Sequence, residues 1–361
     1  MNRIRTLLED GTLDLSAIVW KEHPDPEEKR GNLHWVPKIV GAEDRYAIIW
    51  NTYFELIFLR FHLVKRFESF ENDIKMNAIT FYEQFYSGSK EVVNRVELLK
   101  LLTGRIQDWI RLMEPTDQAV PFLRKLFNYD SMVSSNGTKF SELISLLDIN
   151  TCPYCGRSFI QTVKKKSNGS YIRTCQADHF YPKSEYPWLA LSLRNLIPVC
   201  STCNRIKGKI IEPFLYPYEE EMGQAYRFQT HPVTGLNYLT GTRGAEKEFE
   251  VSLEKTPAVK DVERINPGFS KRAENEINVL GLSELYTTHN SYVLNIFRQR
   301  WIFGEPYVQE LLHAYPELFH DPSEVRSMLY LKSIDKESIG RNPLDKLTRD
   351  IDYEIDQLSC K

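Results

Sequence analysis

The sequence predicts an α+β fold: a mainly helical chain of 361 residues with a small β-containing unit near its middle. Apolar residues recur at helical spacing between residues 43 and 147, and helical patterning returns from about residue 271. Between these stretches, short runs of strand-forming residues flank a turn at Asn168-Gly169, and four cysteines stand in two close pairs. We therefore predict three regions, at residues 1–147, 148–212 and 213–361.

The first region should be built from helices packed around aromatic side chains. Residues such as Trp50, Phe54 and Phe61 follow the helical period. A turn-rich segment at residues 23–32 should link a short start to this helical body. The apolar stretch at residues 47–61 is interrupted by charged residues, so we expect it to lie in the core rather than in a membrane.

The other two regions differ in pattern. Residues 159–163 and 171–174 should pair as a β-hairpin across the Asn168-Gly169 turn. In the third region, β-like runs at residues 226–229 and 249–253 precede shorter helices that continue to about residue 358.

Charge is distributed unevenly along the chain. The net charge is −3, yet residues 151–210 contain ten Lys or Arg residues against two acidic residues, a local charge of +8. A basic segment in an otherwise acidic chain suits a phosphate-binding surface, although such a segment can also be a solvated face.

Two C-x-x-C pairs, Cys152/Cys155 and Cys200/Cys203, predict a metal site. Four thiolates satisfy tetrahedral Zn²⁺ in a closed structural site. The N-terminus has no apolar segment typical of a secretory signal, which favours a cytoplasmic, reducing setting and metal ligation over disulfides. Cys175 and Cys360 have no partner at ligand spacing.

The residues between and around the two pairs carry an ordered set of motifs. Asp178-His179 is followed by Pro182, then by Asn195-Leu196 with Pro198, and then by Asn204 and Lys207 directly after the second cysteine pair. This order resembles the HNH endonuclease superfamily. The resemblance implies a zinc-stapled ββα-metal nuclease core, with strands ending at His179 and containing residues 195–197, and with a helix from about Thr202.

The resemblance also implies roles for individual residues. His179 matches the general base, and Asn195 matches the residue that steadies the loop and orients that base. Asp178 and Asn204 match the ligands of a catalytic divalent cation. Because these two ligands offer oxygen atoms, Mg²⁺ or Mn²⁺ is favoured over Zn²⁺ at this site. Arg205 and Lys207 are expected to contact phosphates of the nucleic acid.

The function expected from these motifs is metal-dependent cleavage of nucleic acid, with double-stranded DNA as the first candidate. A zinc-ribbon binding or adaptor protein without catalysis is the alternative, as is a nuclease that acts on RNA. Less specific motifs at residues 213–218, 271–274, 285–294 and 342–351 resemble stand-alone bacterial HNH proteins of anti-phage defence modules of the Septu or retron type. That resemblance implies an ABC-type ATPase as a partner.

Overall fold

The computed structural model describes residues 13–24, 33–41, 44–87, 92–113, 119–334 and 340–359. Within them, helices and small antiparallel sheets confirm the α+β class. The strands pair as five two-stranded sheets, β1–β2, β3–β4, β5–β6, β7–β8 and β9–β10. Their bounds are β1 Ile18–Pro24, β2 Leu33–Ile39, β3 Tyr86–Ser87, β4 Val92–Val93, β5 Thr162–Lys164, β6 Tyr171–Arg173, β7 Gln176–His179, β8 Leu196–Val199, β9 Tyr226–Pro232 and β10 Phe249–Lys255.

Nine α-helices precede the cysteine-bearing region in the described part of the chain, and a π-helix, Glu55–Arg60, continues the first of them. Aspartate and asparagine side chains cap several of them; for example, Asp44 accepts a hydrogen bond from the backbone N–H of Ala47 at 2.8 Å. The helices are α1 Arg45–Phe54, α2 Leu63–Ser69, α3 Glu71–Asn77, α4 Ile79–Phe85, α5 Arg95–Thr103, α6 Ile106–Trp109, α7 Val120–Leu126, α8 Tyr129–Ser135 and α9 Gly137–Leu146.

A β-hairpin that was not predicted from the sequence precedes the helices. β1 and β2 pair antiparallel from Ile18 opposite Ile39 to Pro24 opposite Leu33. His23 and Pro24, the first residues of the predicted linker, end β1, and the rest of that linker, residues 25–32, lies outside the described residues.

Residues Arg45–Ser69 form a helical run that is long and apolar enough to cross a membrane, by length and composition alone. The charged residues that interrupt the apolar stretch therefore do not by themselves exclude a membrane span. However, 67% of its most apolar window is buried inside the protein. Trp50 and Phe54 are fully buried there and stack with ring centroids 5.9 Å apart, as expected of a core helix.

The middle region contains the predicted hairpin and the predicted ββα order. β5 and β6 pair across the turn, where Gly169 adopts a φ of +71° that favours glycine. β7 and β8 pair with Asp178 opposite Ile197 and His179 opposite Leu196. Helix α10, Ser201–Lys207, follows β8 directly. Asn195 lies in a 3₁₀ turn just before β8, not within the strand as expected.

The C-terminal region has the predicted order of strands followed by helices. β9 and β10 form an antiparallel pair that packs against the surrounding helices. The helices are α11 Val259–Ile265, α12 Phe269–Leu280, α13 Leu282–Thr287, α14 Asn290–Ile302, α15 Glu305–Ala314, α16 Pro322–Tyr330 and α17 Asp345–Ser359.

Both flanking regions are hydrogen-bonded to the middle region. From the N-terminal side, the Tyr53 hydroxyl donates to the Leu191 carbonyl at 2.8 Å. From the C-terminal side, the Tyr286 hydroxyl donates to the carbonyl of Cys155 at 2.7 Å. The buried side chains of all three regions belong to one continuous apolar cluster. The middle region is therefore held from both sides rather than tethered by flexible linkers.

Candidate active site and metal centre

The four cysteines predicted as zinc ligands meet at one buried point. The Sγ atoms of Cys152, Cys155, Cys200 and Cys203 all lie within 4.8 Å of one another. In a tetrahedral zinc site with metal–sulfur bonds of about 2.3 Å, sulfur atoms are separated by about 3.8 Å. The cluster therefore fits a four-coordinate metal ion in both donor type and size.

Backbone N–H groups also point at these sulfur atoms, as a thiolate site requires. The N–H groups of Arg157, Cys200 and Cys203 lie 3.4 Å from the sulfurs of Cys155, Cys152 and Cys200, respectively. Hydrogen bonding with the Cys152 thiol lowers the pKa of Cys155 to about 7, whereas burial raises the pKa of Cys152 and the neighbouring thiols raise that of Cys203. The backbone N–H contacts favour the charged form that binds metal.

The first cysteine pair is shaped by a tight turn. Gly156 adopts a φ of +62°, and its N–H donates to the carbonyl of Cys152 at 2.8 Å. Cys175 is not part of the cluster; it lies just before β7, where its sulfur is 3.5 Å from the Thr162 hydroxyl. Cys360 lies outside the described residues.

His179 ends strand β7 with its imidazole almost completely enclosed. Its Nε2 lies 3.0 Å from the carbonyl oxygen of Ala190. Because a carbonyl only accepts hydrogen bonds, Nε2 carries the proton and Nδ1 keeps a free lone pair. Burial lowers the pKa of His179 to about 4. The ring is therefore neutral at pH 7, in a tautomer that can take up a proton at Nδ1.

Asn195 fixes the loop that carries the carbonyl partner of His179. It is fully buried, and its Nδ2 donates to the carbonyls of Tyr181 and Leu189 at 3.0 and 3.1 Å. Its Oδ1 accepts from the N–H of Tyr181 at 2.8 Å. The side chain thus joins both ends of the segment between His179 and Ala190, the arrangement expected of a residue that orients the imidazole.

Asp178 is paired with a lysine inside the protein. The side chains of Asp178 and Lys207 are each 3% exposed, and Lys207 Nζ lies 3.0 Å from the Asp178 carboxylate. The Tyr154 hydroxyl donates to the same carboxylate at 2.7 Å, and Lys207 also donates to the His179 carbonyl at 2.9 Å. Burial raises the pKa of Asp178, against the opposing effect of Lys207.

This pairing corrects the role expected for Lys207. We expected a surface contact to phosphate, but the side chain turns inward from α10. Lys207 lies one helical turn after Asn204 on the same face of the helix, and that face packs on β7. Arg205, by contrast, is exposed on the same helix, and contact with a phosphate of nucleic acid stays a prediction for it.

Asn204 lies on the face of α10 that faces β7, but its amide is engaged with a neighbouring side chain. Its Nδ2 donates to Oε1 of Gln176 at 2.6 Å. Gln176 and Asp178 are two residues apart on β7 and therefore share one face of the strand. Asp178 and Asn204 are thus brought to one interface, where their oxygen atoms suit a hard divalent cation. In this conformation the Lys207 ammonium holds the carboxylate.

Sequence reasoning did not find Tyr129, which covers His179 from outside the middle region. The Tyr129 ring meets the imidazole edge to face, with centroids 4.5 Å apart. A neighbouring cavity of about 290 Å³ is lined by Tyr129 and Ala190 and by three cations, Arg124, Lys183 and Lys209. No sequence pattern links Tyr129 to a histidine fifty positions later, so only the tertiary structure could identify it.

Comparison with known proteins supports the interpretation of the middle region. Residues 152–209 match the family described as HNH endonuclease. No curated protein and no solved structure matches the chain. The match spans both cysteine pairs and the β7–β8–α10 unit between and after them. Residues 152–209 are therefore an HNH endonuclease domain, with four clustered cysteines that form a possible metal site.

Proposed function

We propose that this protein is a metal-dependent endonuclease that hydrolyses phosphodiester bonds in double-stranded DNA, with His179 as its general base. One observation carries the proposal: the imidazole of His179 is fixed by Ala190 in the tautomer that leaves Nδ1 free to accept a proton. This geometry lies within a region that matches the HNH endonuclease family.

The reaction we propose uses the side chains as follows. Nδ1 of His179 takes a proton from a water molecule while the water oxygen attacks phosphorus. The P–O bond to the leaving oxygen breaks, and that oxygen takes a proton from solvent. Asn195 holds the loop that orients the imidazole throughout. Arg205 contributes a positive charge on the exposed face of α10, where it can meet a backbone phosphate.

Two metal sites belong to this proposal. Cys152, Cys155, Cys200 and Cys203 would hold a structural Zn²⁺. Asp178 and Asn204 would supply oxygen ligands to Mg²⁺ or Mn²⁺, which when bound stabilises negative charge on the phosphate. Because Lys207 occupies the Asp178 carboxylate, binding of this cation requires the ammonium to move away.

The cellular setting that we propose is the cytoplasm, where a reducing medium keeps clustered cysteines available for metal. We further propose a role as the nuclease of an anti-phage defence module with an ABC-type ATPase partner. The support for this role is the likeness of residues 213–218, 271–274, 285–294 and 342–351 to such proteins.

The proposed function is tested with a substrate panel. Wild type, His179→Ala and His313→Ala are incubated with supercoiled plasmid, linear DNA and RNA in Mg²⁺ or Mn²⁺. His313 is exposed on α15, so its substitution is a matched control. We expect wild type and His313→Ala to cleave DNA and His179→Ala to be inactive. Preferential cleavage of RNA would overturn the substrate assignment, and equal cleavage by His179→Ala would overturn the catalytic one.

A further inference from the structure

We propose that helix α8 is an autoinhibitory lid over the nuclease site, with Tyr129 covering His179 and Asp130 occupying the place of a substrate phosphate. This inference rests on the proposed function of His179. It assigns a regulatory role to residues that lie outside the HNH endonuclease domain.

Tyr129 covers His179 from the first turn of α8. Asn128 caps α8 by accepting a hydrogen bond from the backbone N–H of Ser131 at 2.9 Å. The Tyr129 ring packs between His179, at 4.5 Å, and Phe140 on α9, at 5.9 Å, and meets both nearly perpendicularly. His179 consequently has only 9% of its surface exposed.

One polar contact fastens the lid to the loop that follows His179, and a second joins the neighbouring helix α7 to the same loop. The Asp130 carboxylate pairs with Lys183, whose ammonium also lies 4.9 Å from the centre of the Tyr129 ring. From α7, the Arg124 guanidinium donates to the carbonyl of Ser184, with its Nε at 2.9 Å. Lys183 therefore joins the lid to this loop, Arg124 joins α7 to it, and both cations line the neighbouring cavity.

The cavity lined by Tyr129 and Ala190, which both contact His179, is too small for a DNA duplex while the lid is in place. Its volume of about 290 Å³ is that of a small-molecule pocket, far below what the backbone of a duplex needs. Its lining includes three cations, Arg124, Lys183 and Lys209, against the one carboxylate of Asp130, so its charge nevertheless suits phosphate. A covered imidazole next to a basic cavity is the arrangement from which we infer a regulated site.

The ion pair between Asp130 and Lys183 is weak enough for a competing anion to displace. The Asp130 side chain is 79% exposed and that of Lys183 is 37% exposed. Exposed ion pairs contribute little to stability and are weakened by salt. A phosphate of the DNA backbone carries the same charge as Asp130 and can compete for Lys183. Displacement of Asp130 would release Tyr129 from the imidazole and open the site.

Four variants test the lid. Tyr129→Ala removes the cover, whereas Tyr129→Phe keeps the ring and is its matched control. Asp130→Asn removes only the charge of an exposed side chain, so folding is not at risk. Ser135→Ala, exposed at the end of α8, is the control for the helix. His179→Ala is included so that failure of the nuclease assignment is visible separately.

The first readout is plasmid cleavage at low salt. We expect Asp130→Asn to cleave about two- to fivefold faster than wild type, the size of an exposed ion pair. Tyr129→Ala should cleave faster still, up to about tenfold, and both controls should match wild type. If His179→Ala is inactive but Tyr129→Ala and Asp130→Asn are no faster than wild type, the lid is refuted while the nuclease assignment stands.

The second readout does not depend on activity. Diethyl pyrocarbonate modifies accessible neutral histidines, and peptide mapping gives the rate at each position, with exposed His313 and His320 as internal standards. We expect His179 to be protected in wild type and Tyr129→Phe and to react in Tyr129→Ala. Equal protection of His179 in Tyr129→Ala, or slower cleavage by that variant with unchanged modification, would overturn the proposal.

Discussion

Replacement of Lys207 by methionine should strongly destabilise the protein, because it leaves a charge buried without its partner. Lys207 and Asp178 are each 3% exposed at the side chain, and their charged atoms lie 3.0 Å apart. Methionine keeps most of the length and apolar volume of the lysine side chain while removing its charge. The hydrogen bond from Tyr154 to Asp178 is unaffected by the change.

The expected size of the effect follows from this burial. Removal of one partner of a buried ion pair typically costs about 3–5 kcal/mol, far more than the loss of an exposed pair. Lys207 also donates to the His179 carbonyl, and that acceptor loses its partner too. We therefore expect Lys207→Met to lower the free energy of unfolding by about 3–5 kcal/mol.

Urea unfolding at neutral pH measures this effect, with Asp178→Asn and the double variant completing a mutant cycle. The double variant should be more stable than Lys207→Met alone, since it no longer buries an unpaired carboxylate. Added Mn²⁺ should stabilise Lys207→Met more than wild type, because the cation meets no competing ammonium at Asp178. A loss below about 1 kcal/mol, or a double variant no more stable than Lys207→Met, would refute the reasoning.

Three further predictions concern the zinc cluster, the loop and the imidazole. Cys200→Ser should reduce bound zinc and unfold the middle region, since metal binding and folding are coupled in such sites. Metal analysis measures the zinc content and circular dichroism measures the folding. A folded variant with full zinc content would contradict the ligand assignment. Asn195→Ala should lower the free energy of unfolding by about 1–3 kcal/mol, because it leaves buried backbone groups without hydrogen-bond partners, and it should slow cleavage. A variant with wild-type stability and wild-type cleavage would show that the loop does not depend on Asn195. Burial lowers the pKa of His179 to about 4 from its usual value of 6.5, so the unfolded chain binds more protons between these values. The free energy of unfolding therefore carries the full contribution of the neutral His179 ring above pH 6.5. It falls by about 3 kcal/mol as the pH drops from 6.5 through 4. Unfolding curves across this range should show a smaller decline for His179→Ala than for wild type, and parallel declines would argue against a buried neutral ring.

The four-cysteine cluster could be predicted from the sequence because the spacing within each pair follows a local rule. Each cysteine pair has the spacing of a metal-binding turn, so only the meeting of the two pairs depended on the fold. The strand ending at His179 and the helix after Cys200 were also predictable, since their motifs occur in a fixed order along the chain.

The orientation of the Lys207 side chain was predicted wrongly from the sequence. Its position in a basic segment favoured an exposed phosphate contact, but the direction of a helical side chain depends on which face packs against the sheet. Lys207 and Asn204 are three residues apart, so a helix that turns Asn204 toward β7 also buries Lys207. That spacing was visible in the sequence and could have given the correct orientation.

Two other features of the structure were not predicted. Tyr129 and His179 come from separate regions, and no periodicity or motif connects them. The pairing of β1 with β2 was not predicted, because no strands were sought on either side of residues 25–32. The β-branched and aromatic residues at Ile18–Trp20 and at Trp35–Val36 were the available signal for strands on either side.

Chemical rescue of cleavage tests most directly the claim that the His179 ring is the general base. His179→Gly is assayed on plasmid DNA with and without added imidazole, after its zinc content and folding are shown to match those of wild type. We predict that the substitution slows cleavage by about 10²- to 10⁴-fold and that imidazole restores part of the lost rate. Cleavage by His179→Gly at the wild-type rate without imidazole would contradict the claim.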